Sequence, residues 1–222
     1  MPLAGHELGH TTWQSHSLER EYGPAIWKHI VKSVKDRPKD YNRCFERSFN
    51  DDLIDQQNLG PAYDWALRQS EESFCDFLGA RLFAASYLHA FAYLITPGGM
   101  NRIPSYPSLR TRVENLLKAA EFFSFESPDE FATFFLDDIT PKCTDKDGFL
   151  LELADSSAAN LTEVFLKKVD EIAGTATVPT NTIEKIHRVK QSFELLTPAA
   201  DIGDLTNILA AAWNLFYQHD LY

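Results

Sequence analysis

The sequence predicts an all-α protein built from several packed helices. Apolar residues recur at three- and four-residue spacing along most of the chain, which is the period of an amphipathic helix. No stretch shows a convincing alternation of apolar and polar residues, the pattern of a strand. With 222 residues, 44% hydrophobic content and 16 phenylalanines, the chain can bury a sizeable core.

Four helical stretches are predicted before residue 100. The first covers Leu3 to Gln14, and the second begins at Ser17 and stops at Arg37, because the following proline disfavours the helical conformation of that residue. Residues 39–60 are predicted to form a shorter helix and a polar connection. The longest helical region runs from Pro61 to Ile95 and ends at the Thr-Pro-Gly-Gly turn of residues 96–99.

The second half of the chain continues in the same pattern. Pro107 occupies a first-turn position of a helix predicted from Ser108 to Ser124. Ser127 to Glu130 form a capping box that starts a helix at Phe131 to Leu136, and Thr144 to Gly148 form a polar turn. Further helices are predicted at residues 149–173, 182–196 and 203–218.

The chain is interpreted as one domain. Residues 1–125 form the core that carries the chemical motifs, and residues 126–222 form a helical portion packed on that core. Residues 174–182 are the best candidate for an internal linker, but no shift in composition separates two domains.

Composition excludes several classes of function. The net charge of −11 and the lack of a basic stripe argue against nucleic acid as a partner. Three cysteines without a CxxC pair argue against a disulfide framework, so a reducing, cytoplasmic location is expected. The apolar run from Phe77 to Ile95 is interrupted by Arg81 and His89, which favours a buried core helix over a membrane span.

The most informative motif is HExxH at the start of the chain. His6 and His10 are four residues apart, so their imidazoles emerge on the same face of the first helix. Two convergent neutral imidazoles suit Zn²⁺, and Glu7 beside them can take a proton from a water activated by the metal. A zinc enzyme needs a third protein ligand, and the sequence offers two candidates.

His16 is the first candidate. The histidine spacing of His6, His10 and His16 is that of the metzincin motif HExxHxxGxxH. However, Trp13 occupies the position of the motif's glycine, and Met100 is the only residue that could form the methionine turn of that class. These departures disfavour His16.

Glu72 is the second candidate. Glu72 and Asp76 form an ExxxD pair one turn apart on the longest helix, so both can face the first helix if the two pack side by side. Glu72 would supply a carboxylate oxygen to the metal, and Asp76 would accept the free ring N–H of one histidine. Cys75 lies beside Asp76 and is expected to point elsewhere.

The combination of HExxH with a downstream ExxxD resembles the gluzincin metallopeptidases. The resemblance implies a zincin-like domain with the HExxH helix packed against the ExxxD helix. It implies His6, His10 and Glu72 as zinc ligands, Glu7 as general base and Asp76 as the histidine partner.

Four more residues are candidate contacts for a substrate or transition state. Tyr106 to Arg112 resembles a His-Pro…Arg stretch of some zincins, although tyrosine replaces the histidine, so only Arg112 is carried over. Tyr87 and Tyr106 could stabilise an oxyanion. His89 could touch the site, but the simpler interpretation is a core histidine.

The expected function is zinc-dependent hydrolysis of peptide bonds in a peptide or protein substrate. Gluzincins normally place a sheet before the HExxH helix, whereas five residues precede His6 here. A longer natural chain, a partner chain that completes the cleft, or a minimal zincin of reduced activity would each account for this. The alternative is a helical interaction or regulatory protein that keeps the zincin-like scaffold without catalysis.

Overall fold

The structure is a computed structural model of the chain. It describes residues 2–46, 56–95, 102–129, 131–135, 145–174, 183–195 and 205–218. Within these ranges the chain forms ten α-helices, one short 3-10 helix and no strand, so the predicted all-α fold class is confirmed. The α-helices are α1 (Ala4–Ser15), α2 (Leu18–Asp36), α3 (Pro38–Phe45), α4 (Gln56–Phe83), α5 (Ala85–Ile95), α6 (Leu109–Phe122), α7 (Asp145–Ala159), α8 (Thr162–Ala173), α9 (Ile183–Glu194) and α10 (Leu205–Gln218).

The longest predicted helix is divided in two. Ala84 adopts a positive φ of 49°, which ends α4 and starts α5 in a new direction. This change of direction folds Tyr87 back onto Gly79, where a Cβ would lie 2.3 Å from the tyrosine ring. In addition, α4 begins at Gln56, so Pro61 lies inside the helix rather than at its start.

Residues 149–173 also form two helices rather than one. α7 begins at Asp145, inside the predicted polar turn, and Asn160 and Leu161 separate it from α8. The capping box at residue 127 is followed by a 3-10 helix, Phe131–Phe134, instead of an α-helix. The linker predicted at 174–182 lies outside the described residues except for Gly174, as do Met100 and Cys143.

α4 lies at the centre of the fold. α1, α2, α6, α7 and α8 all pack against it, so helices from both halves of the chain share one core. Trp13 of α1, Phe74 of α4 and Phe165 of α8 meet edge to face, with ring centroids 5.6 to 6.3 Å apart. This aromatic contact fixes α1 on the side of α4 that carries the ExxxD pair.

None of the described helices combines the length and the apolar content required to cross a lipid bilayer. Most side chains between residues 77 and 92 are buried within the helical core.

Candidate metal centre

α1 approaches α4 very closely, and glycines make this possible. A Cβ at Gly5 would lie 2.9 Å from Gly79 Cα, and a Cβ at Gly9 would lie 2.6 Å from Cys75 Cα. Any side chain at Gly9 would therefore collide with the backbone of α4. The two helices run antiparallel, since residue numbers rise on α1 as their partners' numbers fall on α4. This register places His6 and His10 beside residues 71–76.

The two histidines of HExxH lie side by side at the edge of this contact. Their ring centroids are 5.1 Å apart, and the rings meet edge to face. The side chain of His6 is 14% exposed and that of His10 is 31% exposed. The pair therefore lies at the boundary between core and solvent, where an ion could enter.

Glu72 contacts both histidines. Its Oε2 lies 3.2 Å from His6 Nε2, and its Oε1 lies 3.8 Å from His10 Nε2. The structure thus brings together the three residues predicted as zinc ligands.

Asp76 contacts the opposite nitrogen of the first histidine. Its Oδ1 lies 2.9 Å from His6 Nδ1, and the Tyr87 hydroxyl donates to the same oxygen at 2.7 Å. Arg112 donates two further hydrogen bonds to this carboxylate. Burial alone would raise the pKa of Asp76, but the Arg112 charge and the hydrogen bonds from His6 and Arg112 hold it below its usual value.

The pKa of His6 is strongly shifted by its surroundings. Burial alone would lower its pKa, but hydrogen bonds to Asp76 and Glu72 favour the charged imidazolium and raise the pKa to about 9. A proton on Nε2 must leave before a metal can bind that atom. The same carboxylates that retain the proton would therefore favour a divalent cation in its place.

Glu71 also contacts the histidine pair, and the sequence did not predict this. Its Oε1 lies 3.0 Å from His10 Nδ1, its Oε2 accepts a hydrogen bond from Arg68, and the residue is 5% exposed. Each histidine thus has one carboxylate of α4 on its Nδ1. The antiparallel register could have revealed this residue: if Asp76 faces His6, an acidic residue about one turn earlier must face His10.

Cys75 also belongs to the cluster, so the expectation that it points elsewhere is wrong. A ligand atom of each of His6, His10 and Cys75 lies within 4.8 Å of the other two. Cys75 is fully buried, and burial and the neighbouring carboxylates raise the pKa of its thiol. It reaches the histidines because Gly9 leaves no side chain between them.

Glu7 and Tyr106 lie on the solvent side of the cluster. Glu7 follows His6 on α1 and is exposed. Tyr106 is 42% exposed, and the charge of Glu72, followed by burial, raises the pKa of its hydroxyl, which places that hydroxyl within electrostatic range of the site. Arg102 holds the Tyr106 segment by donating to the carbonyl oxygens of Ile103 and Tyr106 and to Asp155.

Three other candidates do not lie on the solvent side of the two histidines. Tyr87 is fully buried on the inner side of Asp76, so it is not exposed to a substrate. His89, two residues later on α5, stacks on Trp213 of α10 at 6.0 Å, and burial lowers its pKa to about 4. His16 is exposed just beyond the end of α1 and is not part of the cluster of His6, His10 and Cys75.

The donor set fits a zinc-type ion. Two imidazole nitrogens and a carboxylate oxygen suit zinc, and two ligands of one tetrahedral zinc ion are separated by about 3.4 Å, given the usual bond lengths. The separations of 3.2 and 3.8 Å from Glu72 to the two Nε2 atoms are close to this value. The thiol of Cys75 offers a further donor beside the same two histidines.

No protein-family model matches this chain, and no curated protein or solved structure matches it either.

Proposed function

We propose that the protein is a zinc-dependent hydrolase of peptide bonds. His6, His10 and Glu72 are the proposed ligands, and Glu7 is the proposed general base. One observation carries the proposal: the Glu72 carboxylate lies against Nε2 of both histidines, while a second carboxylate occupies Nδ1 of each.

The carboxylates on Nδ1 support the ligand assignment. When Asp76 and Glu71 accept hydrogen bonds from the Nδ1–H groups of His6 and His10, each neutral imidazole keeps the tautomer whose Nε2 lone pair is free. Arg112 and Tyr87 in turn hold the Asp76 carboxylate in place. Their proposed role is therefore to position Asp76 rather than to contact the substrate.

A bound zinc ion would supply a Lewis acid that makes water acidic enough to ionise near neutral pH and that polarises a carbonyl group. Glu7 is exposed next to His6, where its carboxylate can take a proton from the attacking water and deliver it to the leaving amine. Tyr106, on the same solvent side, is the best-placed group to donate a hydrogen bond to the substrate.

Metal content tests the ligand set. We expect near one zinc per chain in the wild type and in His16→Ala, and loss of zinc in Glu72→Ala. Loss of zinc in His16→Ala alone would support the metzincin arrangement instead. No stoichiometric zinc in any of these proteins would contradict the proposal.

Turnover tests the role of Glu7. The zinc-loaded wild type would be incubated with a mixture of unstructured synthetic peptides, and new termini would be identified by mass spectrometry. Glu7→Gln should keep zinc and lose cleavage, while the control Glu19→Gln, an exposed glutamate of α2, should keep both. A zinc-loaded wild type that cleaves nothing would instead favour the helical interaction protein.

A further inference from the structure

We propose that Cys75 is an additional ligand of the same ion, so that the centre combines sulfur, nitrogen and oxygen donors. The proposal rests on the proposed metal site of His6, His10 and Glu72. It is carried by the position of the Cys75 thiol beside both imidazoles at the α1–α4 contact.

The position of the thiol provides the first line of support. A ligand atom from each of Cys75, His6 and His10 lies within 4.8 Å of the others, which is close enough for one ion to contact all three after small side-chain adjustments. Cys75 follows Glu71 by one helical turn and Glu72 by three residues, so the proposed ligands of α4 share one face.

The surroundings of the Cys75 thiol provide the second line of support. Cys75 is fully buried, is not in a disulfide, and has no hydrogen-bond partner among the described residues. A cysteine that only fills space in a core has apolar neighbours. Cys75 instead has the imidazoles of His6 and His10 beside it, and the acidic residues Glu71, Glu72 and Asp76 lie within four residues of it on α4.

Gly9 provides the third line of support. It lies between the two histidines on the face of α1 that meets α4, and a Cβ there would be 2.8 Å from Cys75 Sγ. The lack of a side chain at this position leaves the sulfur directly against the backbone that carries both imidazoles. A larger residue would separate the thiol from the histidines.

Coordination would follow simple chemistry. The S–H bond of Cys75 breaks, the proton leaves to solvent, and the sulfur donates its electron pair to the ion without any change of oxidation state. A thiolate favours zinc or cobalt over magnesium, calcium and manganese. With His6, His10 and Glu72, the Cys75 thiolate would bring the protein donors to four, so the water of the proposed hydrolysis would occupy a fifth position or replace one of these donors.

Cobalt can test whether Cys75 is a ligand, because the absorption spectrum of bound Co²⁺ shows whether sulfur is coordinated. The purified wild type would be titrated with Co²⁺, and we expect visible d–d bands together with an intense near-ultraviolet band of thiolate-to-cobalt charge transfer. In Cys75→Ser the charge-transfer band should be lost while the visible bands remain. The control Cys44→Ser/Cys143→Ser, which lacks both other cysteines, should keep both sets of bands.

A second measurement does not depend on any variant folding. X-ray absorption of the zinc-loaded wild type should show one sulfur scatterer at about 2.3 Å, besides nitrogen and oxygen at about 2.0–2.2 Å. A shell of nitrogen and oxygen alone would overturn the assignment of Cys75.

The two proposals fail in different ways. Visible cobalt bands without a charge-transfer band in the wild type, or a charge-transfer band that persists in Cys75→Ser, would refute the role of Cys75 and leave the metal site intact. Failure of the wild type to bind either cobalt or zinc would refute both.

Discussion

Arg112 donates two parallel hydrogen bonds to Asp76, from Nε to Oδ2 and from Nη2 to Oδ1, each 2.8 Å long. The guanidinium also lies over the ring of Phe91, 4.9 Å from its centroid. Asp76 is 1% exposed, so this ion pair is buried beneath His6. It connects α6 to the α1–α4 contact and fixes the carboxylate that orients the histidine.

Removal of the charge on Asp76 should therefore affect both stability and metal binding. Asp76→Asn leaves Arg112 buried without its counter-ion, and we expect a loss of about 3 kcal/mol in the free energy of unfolding. Zinc affinity should fall by about 10- to 100-fold because His6 loses its orienting carboxylate. Urea unfolding and competitive zinc titration measure the two effects, and Asp64→Asn, at an exposed position of α4, is the control. An affinity unchanged from the wild type would contradict the orienting role.

Glu71 should influence zinc through His10. Glu71→Gln keeps an acceptor near His10 Nδ1 but removes the charge, so zinc affinity should fall by about tenfold. Arg68 pairs with the buried Glu71 from an exposed position, where solvent screens its charge, so Arg68→Gln should change zinc affinity little. Equal losses in the two variants would mean that the charge balance of the surface, rather than the orientation of His10, controls binding.

The glycine contact between α1 and α4 predicts a steric effect. Gly9→Ala places a methyl group 2.6 Å from Cys75 Cα, so the helices must separate, and we expect a destabilisation of about 1–3 kcal/mol. Zinc binding should weaken as well, because its ligands come from both helices. Gly148→Ala in α7 meets no atom within 4 Å apart from its own helix and its chain neighbours, and it should stabilise the protein by about 0.5–1 kcal/mol. Thermal unfolding with and without zinc compares the two, and a neutral Gly9→Ala would refute the close contact.

His89 predicts a loss of stability in mild acid. Burial lowers its pKa from 6.5 to about 4, so below pH 6.5 the unfolded chain binds a proton that the folded protein does not. The free energy of unfolding should therefore fall as the pH drops from 6.5 to 4, by about 2 kcal/mol from this residue. Paired carboxylates contribute mainly below that window. Urea unfolding across this range should show a smaller decrease for His89→Leu, and an unchanged slope would assign the effect to other groups.

The fold class and most helix positions could be predicted because apolar spacing and Pro or Gly boundaries are local properties. The two points at which a predicted helix is divided, between α4 and α5 and between α7 and α8, could not be predicted. Ala84 breaks the longest helix although alanine is a good helix former, so tertiary packing of Tyr87 on Gly79 must outweigh the local preference. Asn160 and Leu161 likewise carry no strong stop signal.

The candidate site shows the same contrast between local sequence signals, which are predictable, and tertiary packing, which is not. HExxH and ExxxD specify which residues share a helix face, and the structure brings His6, His10, Glu72 and Asp76 together. Cys75 and Glu71 were missed because their positions depend on how closely the two helices approach. That approach is set by glycines on α1 that carry no chemical signature of their own.

The antiparallel contact of α1 and α4 has a further consequence for the stability of α1. α1 has no side-chain hydrogen bond at its N-cap, so it depends on tertiary contacts to stay helical. Ligands shared between His10 and the Glu71–Asp76 stretch would close a chain segment of about sixty residues, and such a cross-link removes conformational entropy from the unfolded state. A bound ion would thus cross-link α1 to α4 reversibly, and its removal by a chelator should weaken the contact between the two helices.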